Sequence, residues 1–92
     1  MAAYRVRVWL VERTFSDDEQ NIVILVYATE DGERYLRKER ALTSFTGPER
    51  ETRASLDVEP DALADVDDPE TRERYATEAR RMADSHAADD VL

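Results

Sequence analysis

The chain opens with a period-two pattern. In YRVRVWLVER, residues 4–13, Tyr4, Val6, Val8 and Leu10 alternate with Arg5, Arg7, Trp9, Val11 and Arg13, as in a strand with one apolar face. The polar cluster TFSDDEQ interrupts this, and NIVILVYAT, residues 21–29, resumes as a β-prone run that is apolar on both faces. EDGE at 30–33 is a hairpin signal, because Asp31 tolerates turn geometry and Gly32 is free to take positive φ. A two-residue loop would set Glu30 against Glu33, so a three-residue loop at 30–32 is expected, with a third strand over about 33–42. That register pairs Tyr27 with Tyr35, Leu25 with Arg37 and Val23 with Glu39, and a slip by one residue would exchange the faces of the third strand.

TGPER at 46–50 is the next break. After it, Thr52, Ala54, Leu56 and Val58 alternate with Arg53, Ser55 and Asp57, predicting a fourth strand over about 51–58; a short helix from Pro48 is the competing reading. EPDALADV predicts a helical turn over 60–66 that buries Leu63 and Val66. Asp68 as N-cap, Pro69 at the first helical position and Glu70 beside it then start a helix over about 69–87. Tyr75, Ala79, Met82 and His86, widened by Ala76 and Ala83, form its apolar stripe. Glu70 with Arg74 and Arg80 with Asp84 stand at i, i+4 on the other side. Residues 88–92 are expected to fray. The prediction is a single α+β domain over 1–92: a four-stranded antiparallel meander with a C-terminal amphipathic helix on one face.

Composition adds a habitat. Twenty-two Asp and Glu stand against 13 basic residues, a net charge of -9, and Lys38 is the sole lysine. Arg pairs with carboxylates through a planar, weakly hydrated charge, and an acidic surface poor in Lys suits molar salt, where screening shortens to about 3 Å. With acidic, Ala-rich stretches such as DVEPDALADVDDPETRERYATEAR, the whole chain resembles a small haloarchaeal protein of an uncharacterised family. The resemblance implies a cytoplasmic, salt-tolerant protein and carries no activity or site. Consistent with that, no apolar run approaches the roughly 20 residues that span a bilayer. The start MAAYRVRV also lacks the apolar stretch of a secretory signal. A cytoplasmic protein with no membrane contact is expected.

Candidate chemistry is sparse. There is no cysteine, which removes disulfides, thiolate metal sites and thiol nucleophiles. The single histidine, His86, sits at the end of the helical stripe without a triad partner. The acidic clusters Asp17, Asp18, Glu19 and Asp65, Asp67, Asp68, Glu70 lack the order of a calcium loop. No cofactor, metal or catalytic residue is expected, and the chain reads as a non-enzyme. What remains is a sheet face the helix cannot cover, with Trp9, Val11, Val23, Leu25 and Tyr27 assigned to it. A contiguous apolar patch of that kind marks an interaction surface, for a homodimer or for another protein. The alternative is a single-stranded nucleic-acid platform of Arg5, Arg7, Trp9, Tyr27, Tyr35 and Arg37. RYLRKERAL at 34–42 is split by alternation, with Arg37 and Glu39 sent to one face and Lys38 and Arg40 to the other, and the chain has no basic excess to drive counterion release.

Overall fold

The alternation at the start of the chain becomes strand β1, Val6–Ser16. It runs three residues past Arg13 because Thr14 and Phe15 are themselves β-prone. The elements that follow are β2 (Ile22–Ala28), β3 (Arg34–Ala41), β4 (Ser55–Val58), a 3-10 turn (Pro60–Ala62), β5 (Ala64–Asp65) and helix α1 (Pro69–Ser85). The computed structural model describes residues 4–16, 22–41 and 52–92; the polar loop at 17–21 and the break at 46–50 lie outside them. The class is α+β, one antiparallel sheet with one C-terminal helix against β1 and β2.

The sheet is not a four-stranded meander: it has five strands in the order β4-β1-β2-β3-β5. β4 pairs with β1, setting Val6 against Val58 and Val8 against Leu56. The Ser55 hydroxyl donates to the Val8 carbonyl at 2.8 Å, and the Arg7 guanidinium meets the Asp57 carboxylate at 2.9 Å. Alternation in 51–58 reports a strand and says nothing about its neighbour, and here the match lies with β1. The helical turn is shorter than expected, and Ala64–Asp65 leave it to pair with Arg34 and Tyr35 of β3. Val66 is buried as predicted, with Leu63 half-buried.

The β2–β3 register is also corrected. Tyr27 stands opposite Leu36, Leu25 opposite Lys38 and Val23 opposite Arg40. The Thr29 N–H donates to the Arg34 carbonyl at 3.1 Å, so four residues, 30–33, turn the chain. Asp31 holds this loop: its carboxylate accepts from the Thr29 hydroxyl at 2.6 Å and the Glu33 N–H at 2.9 Å. Gly32 takes φ 74°. The extra loop residue exchanges the faces of β3, sending Leu36 to the side of Tyr27 and Tyr35 to the opposite side.

Helix α1 lies on the Tyr35 side. Its Tyr75 ring sits 6.4 Å from Tyr35, tilted, and Arg74 reaches Glu12 of β1 at 3.9 Å. By register that face carries Trp9, Val26 and Ala28, all buried, beneath the helical stripe of Ala76, Ala79 and Met82. Asp68 caps the helix through the Thr71 N–H at 3.0 Å, and Pro69 follows, as the sequence predicts. At the other end the helix stops at Ser85, with His86 as an extended C-cap. The opposite face of the sheet carries Val8, Leu10, Val23, Leu25 and Tyr27, also buried, and the Tyr27 hydroxyl donates to the Arg53 carbonyl at 2.8 Å.

The last residues, expected to fray, are hydrogen-bonded to residues 52–54. Ala54 N–H donates to the Asp90 carbonyl at 2.9 Å, Leu92 N–H to the Thr52 carbonyl at 2.8 Å, and Val91 bridges Arg53. The Asp90 carboxylate accepts from the Ala87 N–H and so turns the chain back. Ala54 is fully buried, and the tail satisfies a backbone N–H that burial would otherwise strand.

Two expectations follow. A Cβ on Gly32 would lie 2.1 Å from the Arg72 carbonyl oxygen and 2.9 Å from the Ala76 nitrogen. Gly32→Ala should therefore cost about 2–5 kcal/mol, combining left-handed backbone strain with overpacking against helix backbone. Urea unfolding reads this as a lowered midpoint, and an unchanged midpoint would show that the helix does not seat on the turn.

The second concerns acid. The Thr29 hydroxyl and then the Glu33 N–H hold the Asp31 carboxyl below its ordinary 3.8, and the Thr71 hydroxyl and N–H do the same for Asp68. A depressed folded-state value contributes stability that is present above the unfolded value and lost as pH falls through the folded one. The double variant Asp31→Asn, Asp68→Asn should thus lose less stability than the wild type between about pH 5 and pH 2 in thermal melts. Equal acid slopes would rule out these carboxylates as the source.

Candidate functional site

The residues expected to form an interaction patch are divided between the two faces. Trp9 is 6% exposed on the face that carries the helix, whereas Val23, Leu25 and Tyr27 lie on the other, at 6%, 0% and 2%. Val11 is half-buried at a β-bulge, where the register shifts between Leu10 and Glu12. These side chains are core, and they present no shared open surface. Among the described residues the Trp9 indole N–H is buried and has no protein hydrogen-bond acceptor.

The nucleic-acid platform is likewise not assembled. Tyr27 leaves the set through the register change. Trp9 lies under the helix and Tyr35 is half-buried against Tyr75. Arg5 donates to the Asp57 carbonyl, Arg7 is shared by Ser55 and Asp57, and Arg37 is ion-paired with Glu39. Stacking needs ring faces open to bases, and no pair of these rings offers them. Residues Arg34–Ala41 of this stretch form β3, between β2 and β5, with Arg37 and Lys38 on opposite faces.

The remaining candidates resolve into local structure. His86 Nδ1 lies 3.5 Å from an Asp90 carboxylate oxygen in the turn that starts the tail. Asp68 of the second acidic cluster is the helix cap, and Asp65 faces Arg34 at 3.9 Å. Among the described residues no group of three His, Asp or Glu is placed to hold a metal ion, and the Asp17 cluster lies outside them. None of the described helices is long and apolar enough to cross a membrane.

Among the described residues, the two borders of the sheet are only partly paired. β4 accompanies β1 only through Val6–Trp9, and β5 accompanies β3 only through Arg34 and Tyr35. Among the described residues no strand lies outside β1 from Val11 to Ser16, or outside β3 from Leu36 to Ala41. An edge of unpaired N–H and C=O groups is a template for another strand unless it is blunted by charge, and Lys is the usual blunting residue. β3 carries that protection in Arg37, Lys38 and Glu39, all exposed.

β1 is different. Its border presents Arg13, Thr14 and Phe15, and Phe15 is 64% exposed. The direction of its backbone groups follows from the ladder. Leu10 N–H donates outward, to the Ala54 carbonyl at 2.9 Å, so opposite Leu10 the residue Tyr27 bonds away from β1. Antiparallel alternation then makes Val26 and Ile24 the residues bonded to β1, through Glu12 and Thr14. Arg13 and Phe15 are left with N–H and C=O directed away from β2, on the side of β1 that β4 occupies. Sequence patterning placed this segment in a polar break because SDDEQ follows it directly. The legible signal was the β-propensity of Thr14 and Phe15, with an aromatic standing next to a charge cluster.

No curated protein and no solved structure matches the chain. One family model does match, over residues 2–92, and this chain belongs to that family, the Family of unknown function (DUF7967).

Proposed function

We propose that this chain is a non-enzymatic association module that forms a homodimer by adding strands at the outer border of β1. The supporting observation is that Phe15, near the end of β1, is 64% exposed, and that among the described residues β4 pairs with β1 only through Val6–Trp9. Main-chain pairing supplies the attraction and the exposed side chains supply specificity, as in other cases of strand addition. The site proposed from sequence, the face of Trp9, Leu25 and Tyr27, is occupied by the protein's own packing, and the association surface moves to the sheet border. A net charge of -9 keeps copies soluble and opposes their approach. The acidic, Lys-poor surface fits a salt-rich cytoplasm, where this repulsion is screened. A contact of this length falls at the small end of specific interfaces, so the dimer exchanges with monomer.

Light scattering across a concentration series in molar KCl tests the proposal. The wild-type mass should rise from 10.6 kDa toward twice that value. Arg13→Pro removes an outward N–H while leaving the β1–β2 ladder intact, and should stay at the chain mass with an unchanged melting transition. Phe15→Glu keeps the backbone and should weaken association by about tenfold. A wild type that holds the chain mass at every concentration overturns the proposal, as does a Phe15→Glu variant that dimerises like the wild type.

A further inference from the structure

Residues 87–92 pair with the segment that leads into β4, and their hold on the sheet is mostly backbone. Helix α1 ends at Ser85, and His86 turns extended while its N–H still bonds the Met82 carbonyl. Beyond that pivot, Ala54 N–H donates to the Asp90 carbonyl at 2.9 Å, Leu92 N–H donates to the Thr52 carbonyl at 2.8 Å, and Val91 bridges Arg53. Side chains add little. Val91 is 51% and Leu92 41% exposed, and Ala88 brings a single methyl to the core.

One carboxylate shapes this segment. Asp90 accepts from the Ala87 N–H at 2.9 Å, its own N–H donates to the Ala87 carbonyl at 3.1 Å, and His86 Nδ1 lies 3.5 Å from the carboxylate. These contacts close a local turn that aims the Asp90 carbonyl at Ala54.

The other side of the contact is anchored more deeply. The Arg53 carbonyl accepts from the Tyr27 hydroxyl at 2.8 Å and the Ala54 carbonyl from the Leu10 N–H at 2.9 Å, and both Tyr27 and Leu10 are buried. Residues 53 and 54 are thus fixed from the core, whereas 87–92 are fixed chiefly by 52–54. Of two segments that share bonds, the one with few buried apolar contacts opens at the lower free energy.

We propose that residues 87–92 are a latch that lifts as one piece about His86, with the Asp90 carboxylate as its catch, while Arg53 and Ala54 stay on Tyr27 and Leu10. Lifting exchanges a paired backbone edge for a pre-positioned strand acceptor, the Ala54 N–H and the Thr52 carbonyl. The device is independent of the association at β1.

Amide hydrogen exchange on the full chain tests this, with each rate taken relative to its unstructured value. Ala54 and Leu92 lose their bonds in one event, so their protection should agree within about threefold, and Leu10 should be protected at least about tenfold more. Asp90→Ala removes the acceptor of the Ala87 N–H and should speed Ala54 and Leu92 together by about tenfold, with Leu10 unmoved. Asp90→Asn keeps an oxygen for that N–H and should lie nearer the wild type. Ala54 protected as well as Leu10 overturns the latch, because the tail then opens only with the sheet. Leu92 exchanging faster than Ala54 by a wider margin reduces the segment to a fraying end and overturns lifting as one piece. Asp90→Ala that leaves Ala54 unchanged overturns Asp90 as the catch, and one that speeds Leu10 by the same factor overturns a local device. The wild-type rates decide the latch even where a variant fails to fold.

Discussion

The contact between the β2–β3 turn and the backbone of helix α1 organises this fold. Gly32 lies so close to Arg72 and Ala76 that the turn has no room for a side chain, and the same turn needs the positive φ that glycine supplies. That approach decides which face of the sheet the helix covers. Once Gly32 is under the helix, Tyr35 meets Tyr75, Glu12 meets Arg74, and Trp9 with Ala28 falls beneath Ala76 and Ala79. Arg72 extends the join by donating to the Val66 carbonyl at 2.6 Å, while Val66 N–H donates to the Glu33 carbonyl at 2.8 Å. A short loop thus links β3, β5 and α1 through backbone groups, which tolerate far less displacement than side-chain packing does.

Local patterning reveals elements well and their neighbours poorly. The alternation of residues 4–13, the apolar run of 21–29 and the Asp68-Pro69 start all correspond to observed strands and a helix, because each is set by period and capping within a few residues. The β2–β3 register turned on one loop residue. Repulsion between Glu30 and Glu33 favours a three-residue loop, whereas the structure leaves both in the loop and lets Asp31 tie it. Nothing in residues 51–58 marks β1 as their partner. The C-terminal tail looks polar and unanchored until Ala54 is seen to be buried and in need of an acceptor.

The candidate site was hidden for a related reason. A search for apolar residues without cover leads to Trp9, Leu25 and Tyr27, since side chains are what a sequence displays. In the folded chain those side chains are buried and divided between two faces, and among the described residues the partly paired backbone lies at the borders of the sheet. Which borders stay open depends on strand order and on the lengths of β4 and β5, both set by long-range pairing. Arg13, Thr14 and Phe15 acquire meaning only once β4 is seen to stop at Trp9.

Charge distribution separates the two borders further. Residues 1–46 hold 7 basic and 8 acidic groups and residues 47–92 hold 6 and 14, so the sheet-forming half is nearly neutral and the helix half carries most of the -9. Two approaching copies repel chiefly through their helix halves, while the stretch Arg13–Phe15 itself carries a positive charge. Repulsion between distant exposed charges decays over a Debye length, which shrinks as salt rises. Backbone pairing of the kind proposed for β1 does not depend on ionic strength in that way, so salt would remove the opposing term and leave the attractive one in place. On the association proposed above, an acidic chain with a near-neutral pairing border would suit salt-rich surroundings, since the charge that opposes approach would be spatially separate from the surface through which copies pair.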